Sequence, residues 1–166
     1  MTGTGPVAVE VLVCGSADRG DDGAPMAAWE GLRGGLPPDV AVRVVGQLDV
    51  DDLLSIPPGA AVVIVDAATG IDPGAIVELA LDGLIGQGDG MRPRSSHALA
   101  LPEVIGLAQM IRGRPLHGRI VAVGGAEFGL GAPFSAPVAA ALPQLSDAIL
   151  EAVGHLRRPG DTGGDV

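Results

Sequence analysis

Residues 60–66 read AAVVIVD, an unbroken apolar and largely β-branched run that ends on one carboxylate. Such a run has no polar face, so it suits a strand covered on both sides within a parallel sheet. The same pattern recurs upstream at 7–14 (VAVEVLVC), closed by Gly15, and at 40–46 (VAVRVVG). Downstream, AIVELAL at 75–81 reads as a fourth strand and RIVAVGG at 119–125 as a fifth. Helical patterns lie between and after these runs. One spans 24–34, with Pro25 in its first turn and Leu36-Pro37-Pro38 as its stop. A short one spans 48–56 and ends at Pro57-Pro58-Gly59. Residues 97–112 carry Leu101, Val104, Ile105 and Ala108 at helical spacing, with Pro102 in the first turn. Residues 135–156 form a long last helix, with Ser135 as its N-cap. The order β-α-β-α-β-β-α-β-α gives the fold class α/β, a three-layer α/β/α domain with a mostly parallel five-stranded sheet. One domain is expected over 1–157, followed by a polar disordered tail at 158–166.

Composition narrows the function. The 166 residues suffice for one core, and with 47 % apolar and 18 % charged residues the body of the chain is not a disordered one. With two Phe, one Trp and no Tyr, that core must be built from Val, Leu, Ile and Ala. The formal net charge of −10 argues against nucleic acid and against an anionic membrane surface. The single cysteine, Cys14, excludes an internal disulfide and a cysteine-rich zinc site, and its apolar setting reads as a buried inert thiol. No stretch reads as a signal peptide or a membrane span, so a cytoplasmic protein is expected. A monomer is expected too, because no apolar helix face is left over. Walker A, HExxH and GxSxG motifs are missing, as is GxGxxG between a strand and a helix.

In open α/β sheets ligands sit beyond the carboxyl ends of the strands. Three loops there carry chemistry. The stretch RGDDGAP at 19–25 offers Asp21 and Asp22 after the first strand. Asp66 ends the third strand, and His97 opens a helix after a glycine-rich loop at 82–97. Two carboxylates and an imidazole suit a divalent transition metal, and equally a general acid and base. Each also has a plain structural reading. Asp22 suits the positive end of the next helix. Asp66 can hold a turn, and His97 can simply begin a helix. His117 in RPLHGR reads as surface.

Three motifs resemble those of the hydrogenase maturation proteases: VLVCGSADRGDDG, VVIVDAATGIDPG and SSHALALPEVIGLA. The resemblance spans about residues 7–156 and is helped by GGAEFGLGAPFSAPV before the last helix. It implies an aspartic-type endopeptidase that removes the C-terminal peptide of the nickel–iron hydrogenase large subunit precursor after nickel insertion. It also implies that Asp22, Asp66 and His97 are both the catalytic and the metal-facing residues. The metal would be nickel carried by the precursor, or another divalent metal at the same site. Ser16 stands where the family has Asn, Pro25 where it has Gly, and Pro102-Glu103 where its acid follows the His motif. The Ser16 and Pro25 departures motivate the alternative of a non-catalytic metal- or partner-binding module of hydrogenase assembly.

Overall fold

The computed structural model describes residues 6–32, 34–84 and 101–157. In chain order the elements are β1 (Val9–Val13), a 3-10 turn (Gly20–Gly23), α1 (Ala24–Glu30), β2 (Val40–Val44) and α2 (Val50–Leu54). Then come β3 (Ala61–Ala68), β4 (Ile76–Ala80), α3 (Leu81–Leu84), α4 (Leu101–Arg112), β5 (Gly118–Gly124) and α5 (Ala136–Arg157). The five strands lie in the order β2-β1-β3-β5-β4. All neighbouring pairs are parallel except β4 with β5. The α/β class and the mostly parallel sheet expected from the apolar runs are what the chain forms.

The exception has a simple cause. Only residues 69–75 separate β3 from β4, too few for the helical crossover that a parallel return requires. The chain therefore reverses, and β4 becomes an antiparallel edge strand. The glycine-rich loop expected from residue 82 starts instead as the one-turn helix α3. Its remainder lies outside the described residues, as do the first residues of the helix expected from 97 and the tail expected at 158–166.

Alternation along the strands divides the core in two. Odd-numbered residues of β1, β3 and β5, such as Val11, Val63 and Val121, pack with α1 and α5. Even-numbered ones, Leu12, Val62, Ile64 and Ile120, pack with Leu53 of α2 and Val104, Ile105 and Ala108 of α4. β3 is buried along nearly its whole length, as its lack of any polar face anticipated. Cys14 is a buried thiol within the second cluster.

Charged side chains tie the layers together. Glu10 is buried in the middle of β1 and pairs with Arg43 of β2. Arg43 also donates to the Asp52 carbonyl at 2.6 Å, joining α2 to the sheet. Asp49 and Asp52 close α2 reciprocally, each carboxylate accepting from the other's backbone N–H at 3.0 and 2.9 Å. Arg112 at the end of α4 donates to the carbonyls of Leu53 and Ile56 at 3.0 and 3.1 Å. Those acceptors lie at the end of α2, where intrahelical donors run out.

One expectation needs correction. An apolar helix face is left over: α4 exposes Leu107, Met110 and Ile111, with Met110 78 % exposed. These positions are three and four residues apart, so they share a stripe that flanks the buried one. The reason given for expecting a monomer therefore does not hold.

Ile64→Ala, at a fully buried position, is expected to cost ~2–5 kcal/mol in urea denaturation. Met110→Ala, on the open face of α4, is expected to stay within ~0.5 kcal/mol of the parent.

Candidate active site

The chain leaves β1 for α1 on one face of the sheet and leaves β2 for α2 on the other. The direction of winding therefore reverses between β1 and β3, the switch point where open α/β sheets bind ligands. β1 ends its pairing with β3 at Val13–Val65, while β3 runs on beside β5 through Asp66, Ala67 and Ala68. Beyond that pairing the Cys14 N–H still donates to the Val65 carbonyl at 2.9 Å.

Gly15 makes the departure possible. Its φ is +104°, and a Cβ there would lie 2.1 Å from the Asp22 carbonyl oxygen. Only glycine allows both the positive φ and that approach. The chain then returns through the 3-10 turn, and the Ser16 N–H donates to Asp22 Oδ2 at 2.9 Å. The Asp22 carboxylate is thus turned back over the end of β1 and is largely buried.

Asp66 follows Val62 and Ile64 in alternation, so it faces the α2 and α4 side beside the end of β1. Its Oδ1 accepts from the Ala67 N–H at 2.8 Å. Burial pushes the Asp66 carboxyl up to about 7, and that one hydrogen bond only partly offsets the effect. Asp22, in the turn after β1, and Asp66, on β3, therefore lie at the carboxyl ends of adjacent strands. His97 lies outside the described residues. Among the described residues, no three His, Cys, Asp or Glu side chains gather as metal ligands. His117 is exposed, as expected.

The acidic pair divides its labour in a way the local sequence does not reveal. Asp21 is fully buried and points away from Asp22's partners, into the loop between β5 and α5. Its Oδ2 accepts from the Ala126 N–H (2.8 Å), the Glu127 N–H (2.9 Å) and the Ser135 hydroxyl (2.8 Å). Its Oδ1 accepts from the Ser135 N–H at 2.8 Å. Burial alone would raise this carboxyl, but the four donors outweigh it and hold it below the ordinary aspartate value. Ser135 does sit immediately before α5, and its carbonyl accepts from Ala139 N at 2.9 Å. Its hydroxyl, however, is a donor to Asp21. The sequence separation of 114 residues hides this contact from any motif.

No family profile matches the chain, and no curated protein matches it by sequence. Solved structures do match. The chain superposes on the hydrogenase maturating endopeptidase HybD from E. coli with a TM-score of 0.71 at 19 % identity, over 89 % of this chain and 92 % of that one. For the NiFe hydrogenase maturation protease HybD from Thermococcus kodakarensis the TM-score is 0.67 at 20 % identity, over 87 % and 97 %. For the maturation protease HycI of the same organism it is 0.66 at 23 %, over 91 % and 95 %. At such identities the likeness is one of fold. The chain has the fold of the hydrogenase maturation proteases over most of its length, as its motifs implied.

Two outcomes are expected from the site geometry. Gly15→Ala should lose at least ~2 kcal/mol of stability in urea denaturation, since the new methyl meets backbone at a positive φ. Asp66 should make stability pH-dependent. Its folded-state value of about 7 lies above the unfolded value of about 3.9, so ionising it opposes folding. That penalty is absent below about pH 4, grows as pH rises, and is complete above about 7. In chelator-treated protein, Asp66→Asn should therefore match the parent's Tm near about pH 4 and exceed it at about pH 8. An equal difference at both values would contradict the assignment.

Proposed function

We propose that the protein is an endopeptidase that removes the C-terminal peptide of a nickel–iron hydrogenase large subunit precursor once nickel is in place. The reading rests on one observation: two buried or half-buried carboxylates, Asp22 and Asp66, border the switch point of a fold whose solved relatives are named as hydrogenase maturation proteases. Proteins of one fold carry many functions, so the site residues bear the weight of the argument.

In this reading Asp22, Asp66 and His97 contact nickel carried by the precursor, which makes the metal part of the substrate. Carboxylate and imidazole donors suit nickel and other divalent metals of the first row. Asp22 brings a carboxylate already oriented by the Ser16 amide. Asp66 brings a second carboxylate at the carboxyl end of β3, a group able to act as general base toward a water that attacks a peptide bond. The peptidase is then of the aspartic type. Its two carboxylates come from the turn after β1 and from β3, and bear no relation to a paired-carboxylate dyad. His97 completes the set from the segment that leads into α4, the helix covering the Asp66 face.

A cleavage assay decides the matter. Nickel-loaded precursor should lose a C-terminal peptide and nickel-free precursor should not. Asp22→Ala, Asp66→Ala and His97→Ala should each slow cleavage by on the order of 100-fold or more. Tight binding of the precursor without cleavage would point instead to the non-catalytic binding module.

A further inference from the structure

We propose that Asp21 is a positioning residue for Asp22, and that it acts by welding the β1–α1 loop to the β5–α5 loop. The inference rests on the reading of Asp22 as a site residue and adds to it the element that sets its position.

The two loops touch at more than a side chain. The Asp21 N–H donates to the Glu127 carbonyl at 2.7 Å, and the Gly131 N–H donates to the Asp18 carbonyl at 2.7 Å. The Asp21 carboxylate takes four more donors from residues 126, 127 and 135. Glycines let the backbones close on each other. A Cβ on Gly20 would lie 2.4 Å from the Glu127 carbonyl oxygen, and one on Gly125 would lie 3.1 Å from Asp21 Cβ. Behind this contact, Phe128 and Phe134 of the second loop pack against the α1 and α5 core. The β5–α5 loop is therefore anchored to the body of the domain, and Asp21 is anchored to the loop.

An ionised carboxylate has about four acceptor positions, and Asp21 has four donors. It has no acceptor capacity left for a substrate. Asp22 is the next residue on a 3-10 turn, and its Oδ2 is held by the Ser16 amide. Asp21 thus clamps the turn from the loop side while Ser16 holds the carboxylate from the strand side. If the clamp loosens, the Asp22 carboxylate shifts relative to Asp66, which sits on a rigid strand. Small displacements of a reacting group cost rate far more than binding.

The test uses the full-length protein with Asp21→Asn and Ser135→Ala. Asn keeps the shape of Asp21 but faces one of the loop donors with a donor of its own. Ser135→Ala removes one hydrogen bond of the four and serves if the first variant does not fold. Amide hydrogen exchange, resolved by NMR, reads the Ser16 N–H that holds Asp22. The Cys14 and Gly15 N–H groups are internal controls, because they donate to Val65 and Gly46 and not to Asp22. The expected result is a loss of Ser16 protection by about tenfold or more in a folded variant, with Cys14 and Gly15 unchanged. With nickel-loaded precursor, kcat should fall on the order of 10-fold to 100-fold while KM stays within about twofold. Ser135→Ala should show the same direction with smaller size. Unchanged Ser16 protection overturns the proposal. So does a parallel loss at Ser16, Cys14 and Gly15, which would mark general loosening of the fold. Failure of the parent protein to cleave overturns the endopeptidase reading by itself, because the amide readout judges the coupling without any cleavage.

Discussion

The chain must leave the sheet at Gly15 while its neighbour β3 continues for three more residues, and the site follows from that divergence. A strand that stopped level with β3 would cover Asp66 with hydrogen-bonded backbone. A strand that left through any residue but glycine would drive a methyl into the Asp22 carbonyl. The reversal of winding between β1 and β3 opens the sheet edge, and the positive φ at Gly15 brings the returning turn back across it. Asp22 and Asp66 are attached to its two sides.

Four acidic side chains show how environment decides role. Glu10 is buried in β1 and is neutralised by Arg43, which makes it part of the scaffold. Asp21 is buried with four donors, which keeps it charged and satisfied. Asp22 is largely buried with its Oδ2 fixed by one amide. At Asp66 desolvation outweighs the hydrogen bond from the Ala67 amide, and its proton affinity rises accordingly. Desolvation and hydrogen bonding together set how readily each of these groups holds its charge.

Much of this was legible before any coordinates. AAVVIVD suited a strand buried on both faces, and VAVEVLVC and RIVAVGG followed the same logic. The loops after such strands had to meet at one edge, which put Asp22 and Asp66 in the same neighbourhood. The antiparallel placement of β4 was less visible, because strand direction depends on how far seven residues can reach and the apolar pattern of 75–81 is silent on it. The open stripe of Leu107, Met110 and Ile111 was also missed. α4 carries apolar residues on more than one face, and periodicity finds the buried face without testing the other.

The sequence by itself determined the strands, the three-layer class and the edge at which the carboxylates collect, because these depend on local periodicity and on a general rule of α/β winding. The tertiary structure alone decided that Asp21 of the Asp21–Asp22 pair is taken up by the β5–α5 loop. That choice depends on donors from Ala126, Glu127 and Ser135, more than a hundred residues away. Two neighbouring aspartates are chemically the same until the folded chain surrounds one with four donors from a distant loop and holds the other through the Ser16 amide at the end of β1.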